Sequence, residues 1–247
     1  MFCGNDMNFT MNITEKKAKA VQSMFSSIAE NYDFLNHFLS LGMDKAWRKK
    51  AAACFDDLSD KHILDVACGT GDLSIAVMEA GESTTMVTGG DFSESMLKIG
   101  RGKIKKMGIE SRINFQLLDV LNIDCENNVF DGVSCAFGIR NFADLNRGLS
   151  EMIRVLKPGG RIVILEFAVP TNRLLASFYK FYFTQILPCI GGLLSGNKSA
   201  YKYLPDTVYR FPTADKIIVK LETIGLKDVK YVPLTLGICN ILTGIKI

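Results

Sequence analysis

The stretch Ile63-Leu64-Asp65-Val66-Ala67-Cys68-Gly69-Thr70-Gly71-Asp72-Leu73 decides the fold. It begins as a buried strand, tightens into a glycine turn and opens a helix. Further on, Asp91 closes a second apolar run, Met86-Val87-Thr88-Gly89-Gly90-Asp91. A glycine turn lets backbone approach a ligand closely, because no Cβ intervenes. A carboxylate ending the next strand accepts hydrogen bonds from both hydroxyls of a ribose. The combination predicts a pocket for an adenosine-containing cofactor, built around Asp65, Gly69, Gly71 and Asp91.

The dinucleotide fingerprint requires G-x-G-x-x-G, the third glycine packing helix on strand. Here Gly69-Thr70-Gly71 runs into Asp72-Leu73-Ser74, so that glycine is missing. Asp72 also puts negative charge at the helix start, where a pyrophosphate would sit. S-adenosylmethionine carries no phosphate and its sulfonium is a cation, so the D-x-x-x-G-x-G spacing suits it better. A second reading makes Asp72 a plain N-cap.

Outward from this segment the chain alternates. Strands are predicted over residues 62–67, 85–89, 113–117, 130–135 and 161–167, with helices over 72–80, 93–107 and 144–156. Lys157-Pro158-Gly159-Gly160 forms a turn before the fifth strand. Such alternation implies an α/β fold, a mostly parallel sheet with helices on both faces. Runs at 228–232 and 239–246 add a strand pair at the edge, preceded by a helix over 213–224. Residues 1–14 are expected to be a mobile terminus and 15–247 a single domain. Helical periodicity begins at Glu15 with Val21, Met24, Phe25 and Ile28 on one face. A short helix is expected over residues 33–40, another near Asp44, and further helices over about 173–209. Residues 15–55 thus form a helical lid, and 170–210 a helical insertion covering the substrate.

The 247 residues carry a net charge of +3, too small to argue for nucleic acid. The cluster Lys98, Arg101, Lys103, Lys105 and Lys106 reads as a solvated helix face. Seven cysteines without metal spacing suit a reducing cytosol. His37 and His62 stand alone in the sequence, so no metal site is expected. The start, Met1-Phe2-Cys3-Gly4-Asn5-Asp6, has neither the charge nor the apolar run of a signal peptide. The low-charge stretch 181–196 is shorter than the ~20 residues that span a bilayer. It suits an apolar substrate or a membrane surface.

Several further stretches carry a resemblance. They include the run from Val21 to Asp33 with its Phe25-Ser26-Ser27-Ile28-Ala29 pattern, the run from Asn36 to Arg48, and Ala136-Phe137-Gly138-Ile139-Arg140-Asn141. Glu151 through Gly160, Leu165-Glu166-Phe167, Pro170, Leu187-Pro188, Ile190-Gly191, the run from Ala200 to Leu204 and Phe211-Pro212 complete it. From about residue 17 onward the chain resembles the menaquinone/ubiquinone C-methyltransferase family. The glycine turn alone indicates only the wider class of S-adenosylmethionine-dependent methyltransferases.

The resemblance implies a seven-stranded class I methyltransferase fold, Rossmann-like, with S-adenosylmethionine as cofactor. It implies C-methylation of a prenylated naphthoquinol, the step that completes menaquinone, or of the benzoquinol of ubiquinone synthesis. By match, Thr70 meets the methionine part of the cofactor, Asp91 the ribose, and Asp119 and Val120 the adenine. Two departures stand out: Leu121-Asn122 replaces the family's Leu-Pro after that contact, leaving the loop less fixed, and Ala136 replaces a serine of some relatives. Arg140 and Asn141 become the catalytic candidates, stabilising a phenolate or orienting a water. Alternatively Arg140 pairs with a carboxylate such as Asp144, and Asn141 caps a helix. Tyr32 and Phe25 read either as a lid beside the sulfonium or as core. Tyr179, Phe181, Tyr182, Phe183, Ile186 and Leu187 read as a wall for the prenyl chain or as core. The location implied is cytoplasmic, peripheral to the inner face of the membrane, with transient membrane-surface contact. A homodimer is compatible with all of this. A nicotinamide-dependent oxidoreductase and a non-catalytic binding module are the rival classes.

Overall fold

Apolar burial is nearly continuous along the central strands. Ile63, Leu64 and Val66 in β1 (His62–Val66) are buried, as are Ile162 to Leu165 in β5 (Leu156–Phe167). Strands covered on both faces read this way. The computed structural model describes residues 4–186, 188–189 and 198–247. Its sheet has seven strands in the order β3-β2-β1-β4-β5-β7-β6. The others are β2 (Met86–Asp91), β3 (Ile113–Leu117), β4 (Phe130–Ala136), β6 (Leu226–Leu234) and β7 (Cys239–Lys246). β1 to β5 pair in parallel, and β7 runs antiparallel to both β5 and β6. The expected α/β class and strand count hold.

The order reverses at β1, which lies between β2 and β4. Ligands of open α/β sheets bind at such a switch point, beyond the carboxyl ends of the strands. The glycine turn follows β1 there, and the Gly138-Ile139-Arg140-Asn141 segment follows β4.

Helices α3 (Asp72–Ala80), α4 (Glu94–Met107), α5 (Leu145–Val155) and α8 (Ala214–Thr223) flank the sheet. Asp144 caps α5, its carboxylate accepting from Arg147 N at 3.1 Å. The turn at Lys157–Gly160 is an irregularity inside β5, where pairing with β4 skips from Phe130↔Leu156 to Gly132↔Arg161. One helix, α1 (Gly4–Leu39), replaces the expected start at Glu15 and the separate helix from Asp33. No glycine or proline falls between Asn5 and Leu41, so no strong breaker interrupts the helix before the Leu41-Gly42 turn. α2 (Met43–Ala52) follows; α6 (Arg173–Phe181), a π-turn at Tyr182–Ile186 and α7 (Lys198–Arg210) make the later helical region.

One buried carboxylate fastens β1, α3 and β4. Asp65 is fully buried and accepts hydrogen bonds from Ser74 Oγ at 2.6 Å and Ser134 Oγ at 2.8 Å. Burial pushes its pKa up to about 6, against those hydroxyls. In the unfolded chain a carboxyl of this type titrates near ~3.9. Between those values the folded state holds the extra proton, so this group's contribution to stability falls as pH rises. The stability difference between the parent and Asp65→Asn is predicted to move by about 2 kcal/mol in the variant's favour from pH 4 to pH 7. Urea denaturation at a series of pH values measures it; a difference independent of pH contradicts the assignment.

Candidate active site

The turn after β1 is tightly wound. Ala67, Gly69 and Gly71 all have positive φ, at 52°, 58° and 85°. A Cβ at Gly71 would stand 2.2 Å from Phe115 Cζ, so the β3 phenyl fits beneath the turn only because Gly71 lacks one. Gly138 plays the matching part in the loop after β4: its Cβ would fall 2.6 Å from Cys135 Sγ and 2.8 Å from Ala67 Cβ. The two loops therefore meet in van der Waals contact.

At the end of β2, Asp91 is 5% exposed. Its carboxylate accepts from Gly69 N and Ser93 N, both at 2.8 Å. Burial nevertheless raises its pKa to about 6. Beside it opens a cavity of about 400 Å³ whose walls include Gly69, Asp91, Asp119, Val120, Asn141 and Tyr32. The structure thus brings most of the predicted cofactor residues to one space. Asp119 Oδ1 accepts Leu121 N at 2.9 Å, and Asn122 N bonds Asp119 O at 3.0 Å. These bonds fix the loop without the family's proline. Asn141 lines the cavity with a buried Oδ1 that has no partner among the described residues. It caps no helix; it ends the 3-10 turn Ile139–Asn141 and its Nδ2 donates to Phe137 O at 3.3 Å.

Asp65 and Thr70 do not line this cavity. Both border a separate space of about 20 Å³ under the turn, together with Asp72. Asp65 supports the loop instead of facing a ligand. Thr70, 2% exposed, donates to Asp33 Oδ1 at 2.5 Å and accepts from Lys103 Nζ at 3.0 Å. Lys103 also meets Asp33 Oδ2 and Asp72 Oδ1, each at 2.6 Å. The lysine set aside as a solvated charge thus ties α1, the turn, α3 and α4 together. Asp72 is no N-cap, a place taken by Gly71; the neighbouring Arg48 and Lys103 cations hold its carboxyl below the usual range despite burial. His37 does not stand alone either. Its Nδ1 lies 2.7 Å from Asp44 Oδ2 and its Nε2 4.0 Å from Asp72 Oδ2. The Arg48 guanidinium also bonds Asp44 and lies 3.8 Å from Asp72.

A second cavity, of about 340 Å³, lies beside the first and shares Phe25, Tyr32 and Phe137 with it. Met24, Ile28, Leu39, Trp47, Phe167 and Leu204 give it an apolar wall. Tyr179, Tyr182 and Phe183 line it as expected, whereas Phe181 is 59% exposed and Ile186 lies off the wall. Leu187 lies outside the described residues. Arg140 also borders this cavity. Its carboxylate partner is Glu166, not Asp144: Nη1 lies 2.7 Å from Glu166 Oε1, and Nη1 also donates to Phe137 O. Glu166 is 2% exposed and accepts from Phe167 N at 2.9 Å as well. The guanidinium stands over the Phe167 ring, 5.4 Å from its centroid. Burial pushes the Tyr32 phenol up, against a hydrogen bond from Asn36, so it stays neutral. Glu166, Lys103 and Asp33 escaped the sequence reading because each acts through a partner distant in the chain.

The fold is that of the S-adenosylmethionine-dependent methyltransferases. A solved enzyme of this class from Thermotoga maritima superposes with a TM-score of 0.64 at 16% identity, over 91% of this chain and 99% of its own. The [4+2]-cyclase SpnF superposes with a TM-score of 0.60 at 19% identity, over 82% and 81%. At such identity only the fold is shared, and the cyclase illustrates how one fold hosts different reactions. The chain belongs to the ubiE/COQ5 methyltransferase family, whose sequence model matches residues 11–246. The ubiquinone/menaquinone biosynthesis C-methyltransferase UbiE of Geobacter sulfurreducens is 43% identical, over 98% of this chain and 94% of its own. The demethylmenaquinone methyltransferase of Bacteroides fragilis is 42% identical, over 94% of each chain.

S-adenosylmethionine is the cofactor, and the cavity suits it: a buried carboxylate able to accept from ribose hydroxyls, an unpartnered Asn141 Oδ1, and a wall that includes Phe25, Phe92, Met96 and Leu118. Ionised Asp91 accepts from hydroxyls, and its protonated form does so less well. Affinity for S-adenosylhomocysteine is therefore predicted to rise as pH passes upward through about 6, and Asp91→Asn to flatten that dependence. Calorimetric titration from pH 5 to pH 8 measures it; a parent profile already flat contradicts the assignment.

Proposed function

We propose that this chain transfers a methyl group to a ring carbon of a prenylated quinol, with a demethylnaphthoquinol as its acceptor and a methoxybenzoquinol as the alternative. The two cavities meeting at Phe25, Tyr32 and Phe137 carry this reading. One has a carboxylate suited to a ribose; the other is largely apolar, with Arg48, already paired to Asp44, and Arg140 on its wall. The names of the relatives support the quinol.

The bound sulfonium supplies an already activated methyl group. The protein's task is to orient the acceptor and make its ring carbon electron-rich. That carbon becomes nucleophilic when the adjacent hydroxyl gives its proton to a water molecule, and after methylation the ring regains aromaticity by losing the carbon-bound hydrogen as a proton, also to water. Arginine stays protonated in proteins, so Arg140 acts as a donor to the developing phenolate and not as a base. Glu166 compensates the buried charge through Nη1 and leaves Nε unpartnered among the described residues. Holding carbon, methyl and sulfur in line supplies ~7 kcal/mol or more of the barrier.

Replacing Arg140 by Ala would leave Glu166 buried and unpaired, which destabilises strongly. Arg140→Lys keeps the charge and removes the fork. Its turnover is predicted to fall about 10²-fold, typical for losing one oxyanion donor, with affinity for S-adenosylhomocysteine unchanged. Methyl transfer from labelled S-adenosylmethionine to both reduced acceptors measures it and tests the reading itself. Labelling of the naphthoquinol alone supports the first reading and labelling of both a shared enzyme. No labelling of either contradicts the proposal, and equal loss of cofactor affinity contradicts the role of Arg140.

A prenylated quinol resides in lipid, and the mouth of the second cavity suits that. Leu41 and Phe178 line the cavity yet are 83% and 75% exposed. Phe34 and Phe38 stack on the exposed side of α1, and Leu174 and Phe181 are exposed on α6. Among the described residues no helix is long and apolar enough to cross a membrane. The reading is a peripheral contact through which the acceptor enters. Sedimentation with anionic lipid vesicles is predicted to recover the parent protein and to lose the Leu41→Glu/Phe178→Glu variant, without change in its affinity for S-adenosylhomocysteine. Equal recovery of both contradicts this contact.

A further inference from the structure

The second cavity holds more hydrogen-bonding capacity than Arg140 alone uses. Its wall contains three buried polar atoms without a partner among the described residues: Arg140 Nε, the Tyr179 hydroxyl and the Tyr203 hydroxyl. Buried polar groups in native proteins are overwhelmingly paired, and each exception calls for an explanation. Three exceptions in one largely apolar cavity share one explanation, a polar ligand that completes them.

Their placement is firm. Tyr179 comes from α6 and is 4% exposed. Its ring packs on Phe183, centroids 4.2 Å apart, and Phe183 packs on Phe167 at 5.9 Å. Phe167 in turn carries the Arg140 guanidinium. Tyr203 enters from α7, next to Leu204 on the same wall. Two helices thus present phenols to the space that Arg140 borders from the β4 loop.

We propose that Tyr179 and Tyr203 recognise the acceptor, their hydroxyls binding its ring oxygens together with Arg140 and so selecting the carbon that faces the cofactor cavity. This rests on the quinol reading above. A quinol has two ring oxygens on opposite sides. The one beside the reacting carbon becomes negative and takes a donor, which Arg140 Nε is. The other keeps its proton and both donates and accepts, which a phenol matches and a guanidinium cannot. Burial raises both phenols from their ordinary value, so they bind as neutral groups and neither is the base.

The test compares Tyr179→Phe, Tyr203→Phe and the double variant. Phenylalanine removes only a hydroxyl that has no protein partner, so the fold is not weakened. The expected result is a Tm unchanged or raised, an unchanged affinity for S-adenosylhomocysteine, and an acceptor KM raised about tenfold in each single variant, the usual effect of one lost hydrogen bond. The double variant loses more. An acceptor KM unchanged in the double variant overturns the proposal. So does a lowered Tm with cofactor affinity falling in step, the mark of a structural role. Failure of the parent protein to methylate any prenylated quinol overturns the acceptor reading beneath it, and is told apart because it needs no variant.

Discussion

The site depends on a carboxylate with no access to water. Asp65 joins β1 to α3 through Ser74 and to β4 through Ser134, which stands opposite it in the strand register. The loops that leave β1 and β4 therefore depart from one fixed point. One carries Gly69 beside Asp91; the other carries Arg140 and Asn141. The loops that border the two cavities are thus positioned by the same carboxylate. A buried charge is costly unless such partners compensate it, and the raised pKa of Asp65 is that cost made visible. It also accounts for the missing third glycine. Ser74 stands there because its hydroxyl completes the carboxylate, a contact that glycine cannot make.

The second constraint is the seating of α1. Asp33 bonds the Thr70 hydroxyl and Lys103, and Ser26 Oγ lies 3.0 Å from Ser93 Oγ, next to the Asp91 loop. Tyr32 and Phe25 on the same helix wall both cavities. The two cavities thus share a partition belonging in part to a helix anchored on the glycine turn. Charges paired this closely, part-buried, are screened less than surface pairs. Whatever moves α1 alters both spaces together.

Much of this was legible in the chain. Continuous apolar runs bounded by glycine, proline and charge located the central strands, because a strand buried on both faces has no other pattern; the edge strands β3 and β6 are largely exposed and were marked by shorter runs. Asp91 stood out because the ribose contact needs a carboxylate at a strand end, a local requirement. The FGIRN segment marked Arg140 and Asn141. What stayed hidden was pairing across the fold. The Arg140–Glu166 pair spans 26 residues and the Thr70–Asp33 bond 37. No local spacing encodes such partners, which is why Asp144, near in sequence, was the natural expectation for Arg140. Periodicity could not tell wall from core for Tyr179 and Phe183 either, since a cavity lined with aromatics has the same pattern as a filled one. The continuity of α1 was concealed because its first turns carry no apolar stripe.

The central claim is that two spaces divided by Phe25, Tyr32 and Phe137 hold donor and acceptor. A crystal structure with S-adenosylhomocysteine and a prenylated naphthoquinol tests it most directly. The account predicts the ribose on Asp91, the adenine at Asp119 and Val120, and the quinol ring against Arg140, with the cofactor sulfur facing it past the partition. A naphthoquinol ring found away from Arg140, or a cofactor seated in the apolar cavity, would contradict it.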